Sequence, residues 1–412
     1  MLRKRLLMAS ALSAPAILNI LPSANANTLT ALIPDIYAAL DVVSRELVGF
    51  IPSALRAPSV ERAALGQDVN IPTMGVQTAV NITPAMQVPE PPDNTWQTGQ
   101  MKLTKARAVP FGFTGEEQRS LNTGGPGYLS ARGMVVAQAL RTLTNEIELD
   151  LAVEAAANAS RAYGTPGTTP FTGDQIEDLA QIKKILDDNG APKSFRSAVL
   201  NTSAAAKLIT VKNLSRVNEA GSQMTLRQGE LLDIFGMSVK DTGQAVNHVK
   251  GTGAGATTNA AGYAVGATVI TLAAAGTGTI LAGDVITFAG DANKYVVVPT
   301  GGDADVSNAG TITIAAPGLR QAIPAAATAI TVANSYAANV GFSMNALAVA
   351  MRPPAIPEEG DLAVDRMLIT DPRSGVSFEF AIYLGYKKVR YEVSLVWGVK
   401  AIKPEHIALL LG

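Results

Sequence analysis

The chain has no cysteine and only two histidines, His248 and His406, in 412 residues. Disulfides, thiolate zinc sites and cysteine nucleophiles are therefore excluded. A two-histidine metal site would have to join residues from opposite ends of the chain, so each histidine is read as structural or surface-lying. Aromatic residues make up 5% of the chain and charged residues only 16%. A soluble monomer usually carries nearer ~25% charge. This scarcity suggests that much of the surface faces other subunits. The formal net charge of −1 argues against a protein built mainly to grip nucleic acid electrostatically. The sequence lacks GxSxG, HExxH, a Walker-type GKS/T and an EF-hand loop.

What is present is apolar and patterned. Hydrophobic residues reach 47%, which places the chain among globular proteins, with length for one large core or two to three smaller ones. The start, Met1-Leu2-Arg3-Lys4-Arg5, then Leu6 to Leu21, then Ala24-Asn25-Ala26, has the order of a secretory signal peptide. The reading preferred here is an amphipathic arm that packs on a neighbour. Pro15 and Asn19 interrupt the apolar run, which is too short to span a bilayer, and no membrane association is expected.

Leu29, Ile33, Ile36, Leu40, Val43 and Leu47 predict a helix over 29–50. Residues 66–113 read as an extended, proline-rich β-hairpin projecting from the body, with Val69/Ile71, Val80/Ile82 and Val109/Phe111/Phe113 alternating and Pro89–Asp93 at its tip. Val136, Leu140, Leu143, Ile147 and Leu151 put one apolar stripe on a long helix over 129–161. Thr172-Gly173-Asp174-Gln175 has the form of a capping box for a further helix bearing Ile176, Leu179, Ile182 and Leu186. Ala198-Val199-Leu200 predicts a buried strand, and Thr202 a short Ala-rich helix. Two closing strands, over 378–384 and 389–397, are joined at Gly385–Lys388.

Residues 251–335 form a compositional island. They are rich in Gly, Ala and Thr, and six are charged: Asp284, Asp291, Lys294, Asp303, Asp305 and Arg320. Five β-branched runs recur between glycines, at 268–272, 284–288, 295–298, 311–314 and 329–332, as in a small all-β unit. Gly251-Thr252-Gly253-Ala254-Gly255 lacks the following helix and Lys of a phosphate loop and is read as a linker. Glu146 and Asp150 share a helix face but are read as solvated or intersubunit charges. Glu358, Glu359, Asp361 and Asp365 are read as a solvated loop. No catalytic, cofactor-binding or metal-ligating residue is assigned.

Three segments carry a resemblance. Tyr128 to Ala159, with Asn145-Glu146-Ile147-Glu148-Leu149 at its middle, is similar to the spine helix of the tailed-bacteriophage major capsid (coat) proteins. Gly283-Asp284-Val285-Ile286-Thr287-Phe288-Ala289-Gly290 is similar to the signature strand of the insertion domain in the short-tailed-phage coat branch. Leu395–Lys400 with Lys403-Pro404-Glu405 is similar to that family's C-terminal end. The likeness covers most of 29–412, and the first 28 residues depart from it. It implies an α+β fold of the type shared with herpesvirus capsids (the Hong-Kong-ninety-seven type). The implied parts are an N-terminal arm with helix (1–65), an extended loop lying over a neighbour (66–113), a spine helix and peripheral domain (114–169) and an axial domain (170–250 and 336–360). An inserted β-barrel-like domain (251–335) and a C-terminal peripheral hairpin (361–412) complete the set. It further implies a non-enzymatic virion shell protein assembled in the host cytoplasm. Its partners would be further copies of itself in hexamers and pentamers, a scaffolding protein, a portal, a decoration protein where one is present, and packaged DNA held weakly on the inner face. The alternative is a secreted or surface-exposed β-rich bacterial protein, adhesin-like, built on the signal-like start and the Gly/Thr-rich island.

Overall fold

The structure is a computed structural model that describes residues 48–58, 61–74, 96–124, 127–173, 176–211, 233–370 and 376–412. The arm at 1–28, residues 29–47 of the expected helix, the strand pair at Val80/Ile82 and the hairpin tip at 89–93 lie outside them.

In chain order the elements begin with β1 (Leu55–Pro58), β2 (Asp68–Met74), β3 (Trp96–Lys102), β4 (Lys105–Thr114), α1 (Gly115–Gly124), α2 (Tyr128–Ala157) and β5 (Arg161–Tyr163). There follow α3 (Glu177–Asp188), β6 (Arg196–Asn201), α4 (Thr202–Ile209), β7 (Asp233–Ile234), β8 (Met237–Thr242) and β9 (Asn247–His248). The island contributes β10 (Val269–Thr271), β11 (Val285–Phe288), β12 (Lys294–Val296), β13 (Thr311–Thr313) and β14 (Ile330–Val332). The chain closes with β15 (Tyr336–Ser343), β16 (Leu347–Arg352), β17 (Ala363–Thr370), β18 (Ser377–Gly385), β19 (Lys388–Ala401) and β20 (Ile407–Leu411).

Two large sheets organise these elements. A six-stranded sheet joins β1, β16, β19, β18 and β17, with β4 also paired to β19. A ten-stranded sheet runs β14-β11-β12-β5-β20-β15-β6-β8-β7, with β9 on β15. The second sheet is covered on both faces. In β6, Val199 faces the large core shared with α2, whereas Ala198 and Leu200 face α3 and α4. In β20, Ile407, Leu409 and Leu411 take the first face and Ala408 and Leu410 the second. Burial on both sides explains why Ile407–Leu411 is unbroken apolar sequence with no alternation.

The helix α2 joins the two sheets. Its 30 residues make it about 45 Å long at the ordinary helical rise. The expected stripe, Val136, Leu140, Leu143, Ile147 and Leu151, is buried, together with Ala139, Ala152 and Ala155. The stripe packs with Val393, Leu395 and Trp397 of the first sheet and with Val340 and Phe342 of the second in one continuous core. At the N-terminal end of α2, Tyr128 donates to or accepts from the Tyr391 hydroxyl at 2.8 Å and meets the Phe113 ring edge-on.

Several expectations require correction. Residues 105–114 are not part of the projecting hairpin. β4 leaves it and pairs along β19 from Lys105↔Trp397 to Thr114↔Lys388, while among the described residues β2 and β3 pair only with each other over 68–74 and 96–102. Val109, Phe111 and Phe113 alternate because one face of β4 lies on the large core. The C-terminal segment is divided between the sheets: β18 and β19 belong to the first, but β20 lies between β5 and β15 in the second. Likewise β15 and β16, expected together, fall in different sheets. Residues 174 and 175 of the expected capping box lie outside the described residues; α3 starts at Glu177 after Ile176, and the Thr172 hydroxyl donates to the Thr169 carbonyl. A reciprocal capping box does occur at the start of α1. The Thr114 hydroxyl accepts from Glu117 N–H, and the Glu117 carboxylate accepts from Thr114 N–H at 2.8 Å.

In the island all five β-branched runs contribute strands. They close on themselves. β10 pairs with β13, Ile314 bridges to Val297, β12 pairs with β11 and β11 with β14. Ala329 then bridges to Thr257 and Thr258 to Leu272, which returns to β10. Ile270, Leu272, Ile286, Phe288, Tyr295, Val297, Ile312 and Ile314 fill the interior. The ring is fused to the body, because β12 also pairs with β5, and Val285 and Val296 face the large core.

The hairpin β2–β3 lies close against the first sheet. A Cβ on Gly398 would stand 2.1 Å from the Lys102 carbonyl oxygen. Gly398→Ala is therefore expected to lower stability by about 1–3 kcal/mol through overpacking. Urea titration checks the magnitude, and faster amide exchange at 99–103 checks that the hairpin is what moves.

Candidate assembly surface

The polar groups that hold this body together are concentrated on α2. Glu148, 1% exposed, projects into the large core. Its Oε1 accepts from the backbone N–H of Gly49 at 2.7 Å and Phe50 at 2.8 Å and from the Thr242 hydroxyl at 2.9 Å. Its Oε2 accepts from Ile51 N–H at 3.0 Å. Three consecutive amides of the segment entering the body thus converge on one carboxylate. Burial pushes the Glu148 carboxyl above its ordinary value, and the three amides and the hydroxyl pull it back down. Gly49 is required there, because a Cβ would lie 2.6 Å from Val199 and 3.0 Å from the Asp241 carbonyl. The Lys240 ammonium donates to Ser53, whose hydroxyl donates to the Gly49 carbonyl. Burial lowers the Lys240 pKa, opposed by the nearby Glu148 charge.

On another face of α2, Asp150 bridges two strands. Its Oδ1 accepts from Lys105 Nζ at 2.7 Å and its Oδ2 from the Trp397 indole N–H at 2.9 Å. One turn on, Glu154 accepts from the Ala401 N–H at 3.0 Å. Glu146 stands 3.6 Å from Arg107. The expectation that Glu146 and Asp150 are solvated or intersubunit charges is corrected for Asp150, which ties the helix to β4 and β19 within the chain; Glu146 remains part-exposed. Asp361 is likewise not simply solvated, since Arg366 pairs with it and with Glu379; Glu358 and Glu359 are exposed.

Both histidines sit in structural settings. His248 Nε2 lies 2.8 Å from Asp284 Oδ1, where the chain enters the island. The fully buried Asp284 also accepts from the amides of Gly251 and Leu281. His406 is buried in a turn before β20, and burial lowers its pKa. Among the described residues no cluster of histidine and acidic side chains could hold a metal ion. No described helix is long and apolar enough to cross a membrane.

The outer surface carries apolar side chains in places that cost energy. Phe195, 75% exposed, has φ +55°, and Phe235, 43% exposed, has φ +53°. Phe235 and Gly236 form a two-residue turn between β7 and β8 with both φ values positive, where Asn-Gly is preferred. A bulky residue held in this region costs about 1–3 kcal/mol. The two phenylalanines lie at the same end of parallel strands, beside the register pair Arg196↔Met237. Elsewhere Leu362 is 88% exposed, and Val364 and Leu368 are exposed along β17, an edge strand of the first sheet. Sequence reasoning missed the phenylalanines, although Phe-Gly between two short β-patterned stretches was a usable signal.

No protein-family model matches the chain, and no curated protein matches it. Among solved structures it is similar to the capsid of the cyanophage P-SCSP1u, at 11% identity over 89% of this chain and 88% of that one, with a TM-score of 0.46. It is similar to the asymmetric unit of the bacteriophage PhiM1 mature capsid, at 9% identity over 88% and 86%, with a TM-score of 0.43. A virus-like particle from Pyrococcus furiosus is matched at 10% identity over 90% and 96%, with a TM-score of 0.39. At these values the likeness is loose, though it extends along most of each chain.

Replacing Glu148 tests how much its amide contacts matter. Glu148→Gln keeps one acceptor oxygen and sets an NH2 against a donor, with an expected loss of about 1–3 kcal/mol. Glu148→Ala should lose about 3–5 kcal/mol. A carboxyl whose value is raised in the folded chain holds its proton more tightly there than in the unfolded chain. Its contribution is therefore greatest below the ordinary value of about 4.3 and falls as pH rises through the raised value. Urea midpoints of wild type and Glu148→Gln, followed from about pH 4 to 8, should show that fall only in wild type.

Proposed function

We propose that this chain is a major capsid protein of the tailed-bacteriophage type, which assembles without covalent links into an icosahedral shell around viral DNA. The observation that carries the reading is α2. A helix about 45 Å long spans two sheets, so the body is built along a line rather than around a central site. Its buried face and its carboxylates are spent on holding both sheets to one axis. That arrangement suits a plate that must present edges to neighbours on several sides.

Under this reading the six-stranded sheet with α2 is the peripheral domain, and the ten-stranded sheet with α3 and α4 is the axial domain. The β2–β3 hairpin is the base of the loop that lies over a neighbour, and the closed ring at 251–335 is the insertion domain. Many weak isologous and heterologous contacts would close the shell. The partners are further copies in hexamers and pentamers, a scaffolding protein, a portal, a decoration protein where one is present, and packaged DNA held weakly on the inner face, in keeping with the chain's net charge of −1. The role is structural rather than enzymatic, and the place is the virion, after assembly in the host cytoplasm.

Electron microscopy of the purified full chain should show closed shells of uniform size, and their absence would falsify the proposal. On denaturing gels the protein should run as one monomer band, heated or unheated; a ladder of multimers would count against a non-covalent shell. Intact mass separates this reading from the exported adhesin, which requires loss of residues 1–26.

Replacing 251–335 by a short linker should impair folding or change shell size. The ring supplies Val285 and Val296 to the common core and hydrogen-bonds β5 through β12. Normal shells from that deletion would make the island an ornament.

A further inference from the structure

Where β5 meets the island, one guanidinium touches three parts of the chain. Arg161 is 5% exposed and stands at the start of β5, in register with Tyr295 of β12. Its Nη1 donates to Asn293 Oδ1, in the turn between β11 and β12, at 3.2 Å. Its Nη2 faces the C-terminal end of α3, with Asp188 Oδ2 at 3.1 Å, Asn189 Oδ1 at 3.3 Å and the Ile185 carbonyl at 3.4 Å. A cation suits that end of a helix, where carbonyls lack partners. The acceptors are themselves held. Asp291 Oδ1 accepts from the backbone and side-chain amides of Asn293 at 2.8 and 2.7 Å, and its Oδ2 from the Tyr295 hydroxyl at 2.6 Å. On the other side Asn189 donates to Ser160 Oγ at 3.1 Å and to the Glu405 carbonyl at 2.6 Å.

This placement is costly. Burial strips the guanidinium of water, and Arg161 Nε has no partner among the described residues. Apolar side chains could fill such a junction at least as stably. What they could not supply is direction, because a planar fork donates to two sides at once. The rest of the attachment leaves the island room to tilt. It hangs on a short two-strand stem, His248↔Tyr336 and Asn247↔Ala337, and meets β5 through two register pairs, Lys294↔Ala162 and Tyr295↔Arg161. Val285 and Val296 pack in the large core, but apolar contact has no preferred direction. Lys294 donates to the Gly164 carbonyl, a single bond that a flexible ammonium can follow as the ring turns. We propose that Arg161 is the positioning residue of the island, its guanidinium fixing the angle between the closed ring at 251–335 and the end of α3. The consequence for assembly rests on the reading above. A ring free to tilt offers neighbours a variable surface, and shells lose their uniform size.

The chain has no cysteine, so spin labels go only where they are placed. Nitroxides on Val265→Cys, 61% exposed on the island, and on Lys184→Cys, exposed on α3, report the distance between ring and helix. Pulsed electron paramagnetic resonance of the full-length subunit should give one narrow distribution. Arg161→Lys keeps the charge beside Asp188 but not the fork, and should at least double the width. An unchanged width overturns the proposal. Gly398→Ala, which lowers stability in the other sheet, should leave the distribution narrow. Equal broadening there would mean that width follows stability, and overturns the positioning role. If Arg161→Lys does not fold, Asn293→Ala takes its place. It removes the island's acceptor and leaves the bonds to α3, and a narrow distribution from it overturns the proposal. Electron microscopy reads the consequence, with shells of mixed size expected from Arg161→Lys. Broadened distances with shells of wild-type size overturn the link to assembly and leave the positioning role standing. A wild-type chain that forms no shells overturns the assembly reading, while the distances still decide the role of Arg161.

Discussion

Along α2 the carboxylates of Glu148, Asp150 and Glu154 are placed against donors from distant parts of the chain. Glu148 gathers the amides of 49–51, Asp150 joins Lys105 to Trp397, and Glu154 takes the amide of Ala401. Burying ionisable groups is costly unless donors satisfy them. Once satisfied, they fix geometry more narrowly than apolar packing can, because a carboxylate accepts from particular directions. The apolar stripe beneath brings the two sheets to the helix, and the acids set their register on it. The N-terminal segment, the first sheet and the end of β19 are positioned by one rod.

Much of this architecture was written in sequence period. The stripe at Val136, Leu140, Leu143, Ile147 and Leu151 marks the helix because apolar residues recurring every 3.6 positions fall on one side of a helix and on no single side of a strand. The five β-branched runs of the island became its five strands, and Tyr391 to Trp397 alternate because one face of β19 meets the core. What could not be read were interactions of long sequence separation. The Glu148 donors lie 94 to 99 residues away and are mostly backbone amides, which leave no mark in side-chain identity. The alternation of Val109, Phe111 and Phe113 is as consistent with a hairpin as with pairing to β19, and only the partner strand decides. Ile407–Leu411 belongs to the second sheet for a reason invisible locally: it is covered on both faces.

The surface is less legible still. A phenylalanine in a left-handed turn looks in sequence like any aromatic near a glycine. Only the backbone angles and the exposure of Phe195 and Phe235 together mark the site as held at a cost. There, local preference and observed conformation disagree, and the backbone bonds of Met344 to Phe195 and of Ile234 to Met237 hold the disagreement in place.

The closure of the island has a consequence for a protein gathered at high local concentration. A sheet edge presents a row of free amides and carbonyls to which any similar edge can add, and short Thr/Ile/Val strands are well suited to such growth. In residues 251–335 that row is turned inward, because the strands hydrogen-bond around a ring and β12 engages β5 of the same chain. A segment of low charge and high β-propensity whose edges are paired in this way offers a second copy little to add to, and so does not seed fibres.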